Sequence, residues 1–122
     1  MTDITEIYSE FTNWYFQEMD RRPIMDADEK WKTLDTALQM FGLGKNGGIL
    51  CYSAGDLEGL EYELSVLRIL GLTEFEAALA KSIESRNEIY FDNYFFSNYD
   101  DLFMAAYKYA KSNGLFSNSG CV

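Results

Sequence analysis

No histidine occurs anywhere in the 122 residues. Histidine titrates near neutral pH and is the commonest metal ligand. Its absence excludes Ser-His-Asp and Cys-His nucleophilic sites and every His-containing zinc site. Cysteine is almost as scarce: Cys51 sits in an apolar run and Cys121 near the end of the sequence. Two cysteines cannot build a zinc ribbon, and these contexts do not point to a disulfide. Long apolar runs are missing too, so no stretch reads as a membrane span. The opening residues, Met1 to Glu6, lack the basic and apolar regions of a secretory signal. A reduced, cytoplasmic protein is the expectation. Bases are few: ten Lys and Arg stand against twenty Asp and Glu, for a net charge of −10. Nucleic acid and anionic lipid both require Lys and Arg to neutralise phosphate. Direct binding to either is therefore not expected, and a basic protein partner is.

What the chain does have is apolar bulk. Hydrophobic residues make up 48 % and include nine Phe, nine Tyr and two Trp, enough to build a core in a chain of this length. The apolar positions recur at three- and four-residue steps, which predicts helices. Ile4, Ile7, Tyr8, Phe11, Trp14 and Tyr15 form the first stripe, opened by Asp3 with Glu6 as a capping box and closed by Arg21-Arg22-Pro23. A second helix from Asp26 carries Ala27, Trp31, Leu34, Leu38 and Phe41 inward, with Asp28, Lys32, Asp35 and Gln39 facing away. Gly42 or Gly44 is its expected stop. Asn46-Gly47-Gly48 opens the central unit, with Asn46 read as the cap of a helical turn or two over Ile49 to Tyr52. Asp56 is read as the cap of the next helix, with Leu57, Leu60, Leu64, Leu67 and Leu70 inside and Gly71 as terminator. Thr73 and Glu76 then predict a capping box for a helix burying Phe75, Ala78, Leu79 and Ile83. From Glu84 to Tyr99 the period is lost, so a short helix or turn and a loop are expected. A last helix spans about Asp100 to Ser112. The expected fold is all-α, a single domain over 1–122 built as a compact bundle of about five to six helices with the Asn-Gly-Gly turn at its centre. Residues 116–122 read as a frayed tail.

Little catalytic machinery is legible. Gly42-Leu43-Gly44-Lys45 lacks the spacing and the preceding strand of a phosphate loop. Asp26, Asp28 and Glu29 resemble the start of a calcium loop, but the later glycine and acid are missing, and capping explains them. The Asn-Gly-Gly turn serves close helix packing better than anion binding in so acidic a chain. Cys51 reads as a core residue. The aromatic run Tyr90 to Tyr99 reads as core closure before binding surface. No catalytic, cofactor-binding or metal-binding residue is expected, and no cofactor. A paired-carboxylate enzyme would need a deep cleft holding two acids, one with a raised pKa.

The Asn46-Gly47-Gly48 turn, Tyr52, Gly55 and the run Glu63-Leu64-Ser65-Val66-Leu67-Arg68-Ile69-Leu70-Gly71-Leu72-Thr73-Glu74-Phe75-Glu76-Ala77-Ala78-Leu79 together resemble the DNA-mimic-protein family of small acidic helical domains. The likeness spans roughly Trp31 to Lys111 and departs at Ile49 and at Ser53-Ala54. It implies an all-helical protein, able to form a homodimer, whose surface carboxylates stand in for phosphates against a DNA-binding protein. Helical carboxylates at i, i+3 and i+4 have β-carbons about 5–6 Å apart, and a basic protein would meet them much as it meets DNA. The partner-binding residues expected are Asp3, Glu6, Glu10 and Asp20, with Glu58, Glu61 and Glu63. The alternative is an immunity or antitoxin-like protein that neutralises a toxin such as a nuclease.

Overall fold

The computed structural model describes residues 4–21 and 28–116. Among these residues the secondary structure is all α-helix, with no strand, as the spacing predicts. The order is α1 (Ile4–Arg21), α2 (Glu29–Gly47), α3 (Ile49–Tyr52), α4 (Glu61–Ile69), α5 (Thr73–Ser85) and α6 (Ile89–Ser112). None of them is long and apolar enough to cross a membrane.

Helix α2 is the axis, touching α3, α4 and α6. Its stripe buries Trp31, Leu34, Leu38 and Phe41, to which Ala37, Met40 and Gly44 add a second strip. The helix starts at Asp28, whose carboxylate accepts the Lys30 N–H at 3.0 Å; the expected start at Asp26 lies outside the described residues. It also runs through both expected stops. Gly44 is buried against Phe95 of α6, where an added Cβ would come within 2.8 Å of the ring. Its glycine therefore serves close helix packing rather than termination.

The break falls at Gly48 instead, with φ of 79°. Asn46 is still helical, so it does not cap α3. Asp92 does so from α6: its carboxylate accepts the Ile49 N–H at 2.8 Å and occupies the space a Gly48 Cβ would need. Burial, and then the nearby charge of Glu88, raise the Asp92 pKa against the pull of that N–H. The start of α3 is thus filled by the chain's own carboxylate, not open to an external anion.

Helix α4 begins later than the leucine pattern suggests. Asp56 forms a local turn, accepting the Glu58 N–H at 2.9 Å, and the helix starts at Glu61. Leu57 and Leu60 are buried in the connecting segment instead. Gly71, with φ of 75°, ends α4 as expected, and the Leu72 N–H returns to the Leu67 carbonyl. The expected Thr73–Glu76 box is not made. Glu76 takes the Arg68 guanidinium at 2.5 Å, bridging α4 and α5.

The largest departure is α6. The aromatic stretch expected as a short helix or turn followed by a loop is helical from Ile89, and one element continues to Ser112 with a kink at Asn98 (φ −138°). Phe91 and Phe95 are fully buried one turn apart, stacked on each other and packed against Phe75 of α5. The buried Ser82 hydroxyl accepts the Phe91 N–H at 2.8 Å and so fixes the first turn. Leu102, Phe103, Ala106, Tyr107 and Ala110 point inward as read from the sequence. Phe116, placed in the expected tail, is buried against Phe11, Trp14 and Tyr107.

Helix α1 stands off the bundle on bulky side chains. Phe11 is fully buried and meets Phe103 and Tyr107 edge-on, while Trp14 and Tyr15 both meet Trp31. Burying one such ring contributes about 1.5–3 kcal/mol, so α1 is held by a few large contacts rather than by close backbone packing. Cys51, expected in the core, is exposed.

Candidate functional site: a carboxylate-lined cleft

One open cleft of about 450 Å³ lies where α2, the segment after α3, and α4 meet. Asp35 and Gln39 reach it from α2, Asp56 and Glu58 from the connecting segment, and Glu63 from α4; Tyr52 and Ser53 lie between them. Among the described residues that line it, four are acids and none is Lys or Arg.

Two tyrosines organise these acids. The Tyr15 hydroxyl donates to Asp35 Oδ1 and accepts from Gln39 Nε2 at 3.0 Å, tying α1 to α2. The Tyr52 hydroxyl donates to Glu63 Oε2 at 2.5 Å, tying α3 to α4. Burial is the main cause that lifts both phenols well above their ordinary pKa, and the carboxylate each one faces lifts them further. Asp35 adds its charge to the field at Tyr52 as well. Both phenols therefore stay protonated and donate across the whole physiological range.

The cleft floor is not fully satisfied. Glu63 is only 9 % exposed, and among the described residues its second oxygen, Oε1, has no hydrogen-bond partner; neither has the buried Ser53 hydroxyl. An unmade hydrogen bond at a buried polar group costs about 1–3 kcal/mol. At the rim, Arg86 approaches Glu58 at 3.6 Å, but both side chains are largely exposed, and such pairs contribute little.

The seven acids named from the sequence do not share one surface. Asp3 lies outside the described residues. Glu6, Glu10 and Asp20 are exposed on α1. At about 100° per residue they fall on the side of α1 opposite Tyr15, so they face away from the cleft. Glu61 is exposed on α4, and Glu58 lines the cleft. Glu63 corrects the expectation of a surface carboxylate: it is buried and held by Tyr52, because α4 turns that side toward α3. Asp35 and Asp56 were missed. Asp35 was read as facing away on α2, yet Tyr15, twenty residues earlier, reaches it.

Among the described residues no three His, Cys, Asp or Glu stand close enough together to hold a metal ion. Asp92, whose carboxyl pKa is raised, caps α3 and does not line the cleft. The chain matches no known protein family, no curated protein and no solved structure.

Proposed function

We propose that this is a non-enzymatic acidic binding protein whose cleft receives basic side chains of a protein partner. The observation that carries the reading is the convergence of Asp35, Asp56, Glu58 and Glu63 on one cleft, with no base lining it among the described residues. A Lys or Arg entering there would meet several carboxylates, and charge-assisted hydrogen bonds are the strong ones. Ordinary surface salt bridges do not do this, because they are exposed and singly paired.

The partner class proposed is a protein with a basic, nucleic-acid-binding surface. The sequence likeness to DNA-mimic proteins supports it, and so does the net charge of −10. The acids do not form a single phosphate-like row, since those of α1 face away from the cleft. A pocket that accepts protruding basic side chains therefore fits blocking of particular residues better than imitation of a long duplex. Neutralisation of a nuclease would use the same chemistry.

The test is affinity capture from a host extract at low and high salt. The wild type is compared with a cleft variant (Asp35→Asn, Asp56→Asn, Glu58→Gln) and an α1 variant (Glu6→Gln, Glu10→Gln, Asp20→Asn). Each variant removes three charges, so their net charges are equal. A basic partner should be held by wild type and α1 variant at low salt, and lost with the cleft variant or at high salt. Capture indifferent to salt, or lost only with the α1 variant, would refute the cleft.

A further inference from the structure

A second cavity, of about 220 Å³, lies between α1 and α2 where α1 stands off the bundle. Phe11, Leu38, Phe41 and Phe103 are among its walls, and among the described residues no Asp or Glu lines it. In a chain with twice as many acids as bases, the one charged residue among the described residues lining this cavity is a lysine. The Lys45 ammonium stands 5.6, 5.0 and 4.9 Å from the ring centroids of Tyr8, Phe41 and Tyr99. Rings on several sides hold a cation by its charge but offer its N–H groups no acceptor lone pair. No carboxylate lies within ion-pair distance of it among the described residues.

Gly42 is the other unusual feature. It sits inside α2 and lines the cavity, and an added Cβ would meet no atom within 4 Å. Gly44 is explained by Phe95 and Gly48 by its positive φ and Asp92, but Gly42 has neither reason. Glycine is among the poorest residues for a helix interior. What it does here is leave space.

We infer that this cavity binds a small apolar monocarboxylate, a single ring or short chain bearing one carboxylate that pairs with Lys45. An apolar cavity of about 150 Å³ accepts benzene, so this volume takes one ring and a short tether but not a helix or a second chain. The apolar walls take the body of the ligand, and the lysine fixes its polar end, which is the usual division of labour in a ligand pocket. The site is separate from the carboxylate cleft and does not depend on its reading.

The probe is hydrocinnamate, with hydrocinnamyl alcohol as its uncharged counterpart, each titrated calorimetrically into the wild type, Lys45→Met and Gly42→Phe. Methionine keeps the apolar stem of the lysine and removes its charge. Circular dichroism and melting confirm that each variant is folded, and Gly42→Leu replaces Gly42→Phe if the latter is not. The wild type should bind the acid about tenfold more tightly than the alcohol. Lys45→Met should erase that preference while keeping the alcohol's affinity, and the Gly42 variant should weaken both. Absence of binding to the wild type, a preference that survives Lys45→Met, or full binding by the folded Gly42 variant would each overturn the site.

Discussion

Tyr15 and Tyr52 each give a phenolic proton to a carboxylate, and both phenols hold that proton more tightly than an ordinary tyrosine does. The unfolded chain ionises first, near the ordinary value of about 10. Above that pH the folded state binds more protons than the unfolded one, so stability falls as pH rises. Their contribution is fully present below about pH 10 and is lost as pH climbs through the raised folded values. Tyr15→Phe and Tyr52→Phe should each flatten the alkaline fall in denaturant midpoint. At neutral pH each should cost about 1–3 kcal/mol, because a carboxylate loses its donor. An unchanged alkaline slope in both would show that these bonds are not formed in solution. The two glycines of α2 give a paired prediction. Gly42→Ala should stabilise by about 0.5–1 kcal/mol through helix propensity. Gly44→Ala should destabilise by about 1–3 kcal/mol, because its methyl meets the Phe95 ring. Equal effects in urea titrations would contradict the α2–α6 contact.

At the scale of the elements, helix faces were legible where they repeat locally. Leu34, Leu38 and Phe41, or Leu102, Phe103 and Ala106, are placed inward by their spacing alone. The boundaries were less legible, because they depend on distant partners. Asn46 and Gly44 look like caps and stops, yet Asp92 and Phe95, more than forty residues later, decide what happens there. Residues 89–99 hid their helix because aromatic residues lie on its outer face as well: Tyr90 and Phe96 are exposed beside buried Phe91 and Phe95. Such a stretch has bulk on every face, so period alone could not sort it. The cleft was half legible for the same reason: Glu58 and Glu63 sit in an obvious acidic run, whereas Asp35 joins them only through the tertiary fold. The capping of α3 by Asp92 can be checked directly. Asp92→Ala should cost about 0.5–2 kcal/mol. Asp92→Asn keeps an acceptor for the Ile49 N–H without burying a charge, so it should cost less. The reverse order would mean that the charge, not the hydrogen bond, holds the turn.

At the scale of the whole molecule, salt should act in two opposite directions. A net charge of −10 repels itself, so added salt should raise the melting temperature modestly by screening. The same screening should weaken the basic partner's hold on the cleft. A general attraction of basic polymers to an acidic protein would be spread over its surface and blind to which acids are removed. The most direct measurement is therefore the affinity of an arginine-rich peptide for the cleft and α1 variants, which carry equal net charge, at low salt. The cleft variant should bind several-fold more weakly than the α1 variant. Equal affinities would contradict the account, because the cleft would then be no more than one part of a uniformly negative surface.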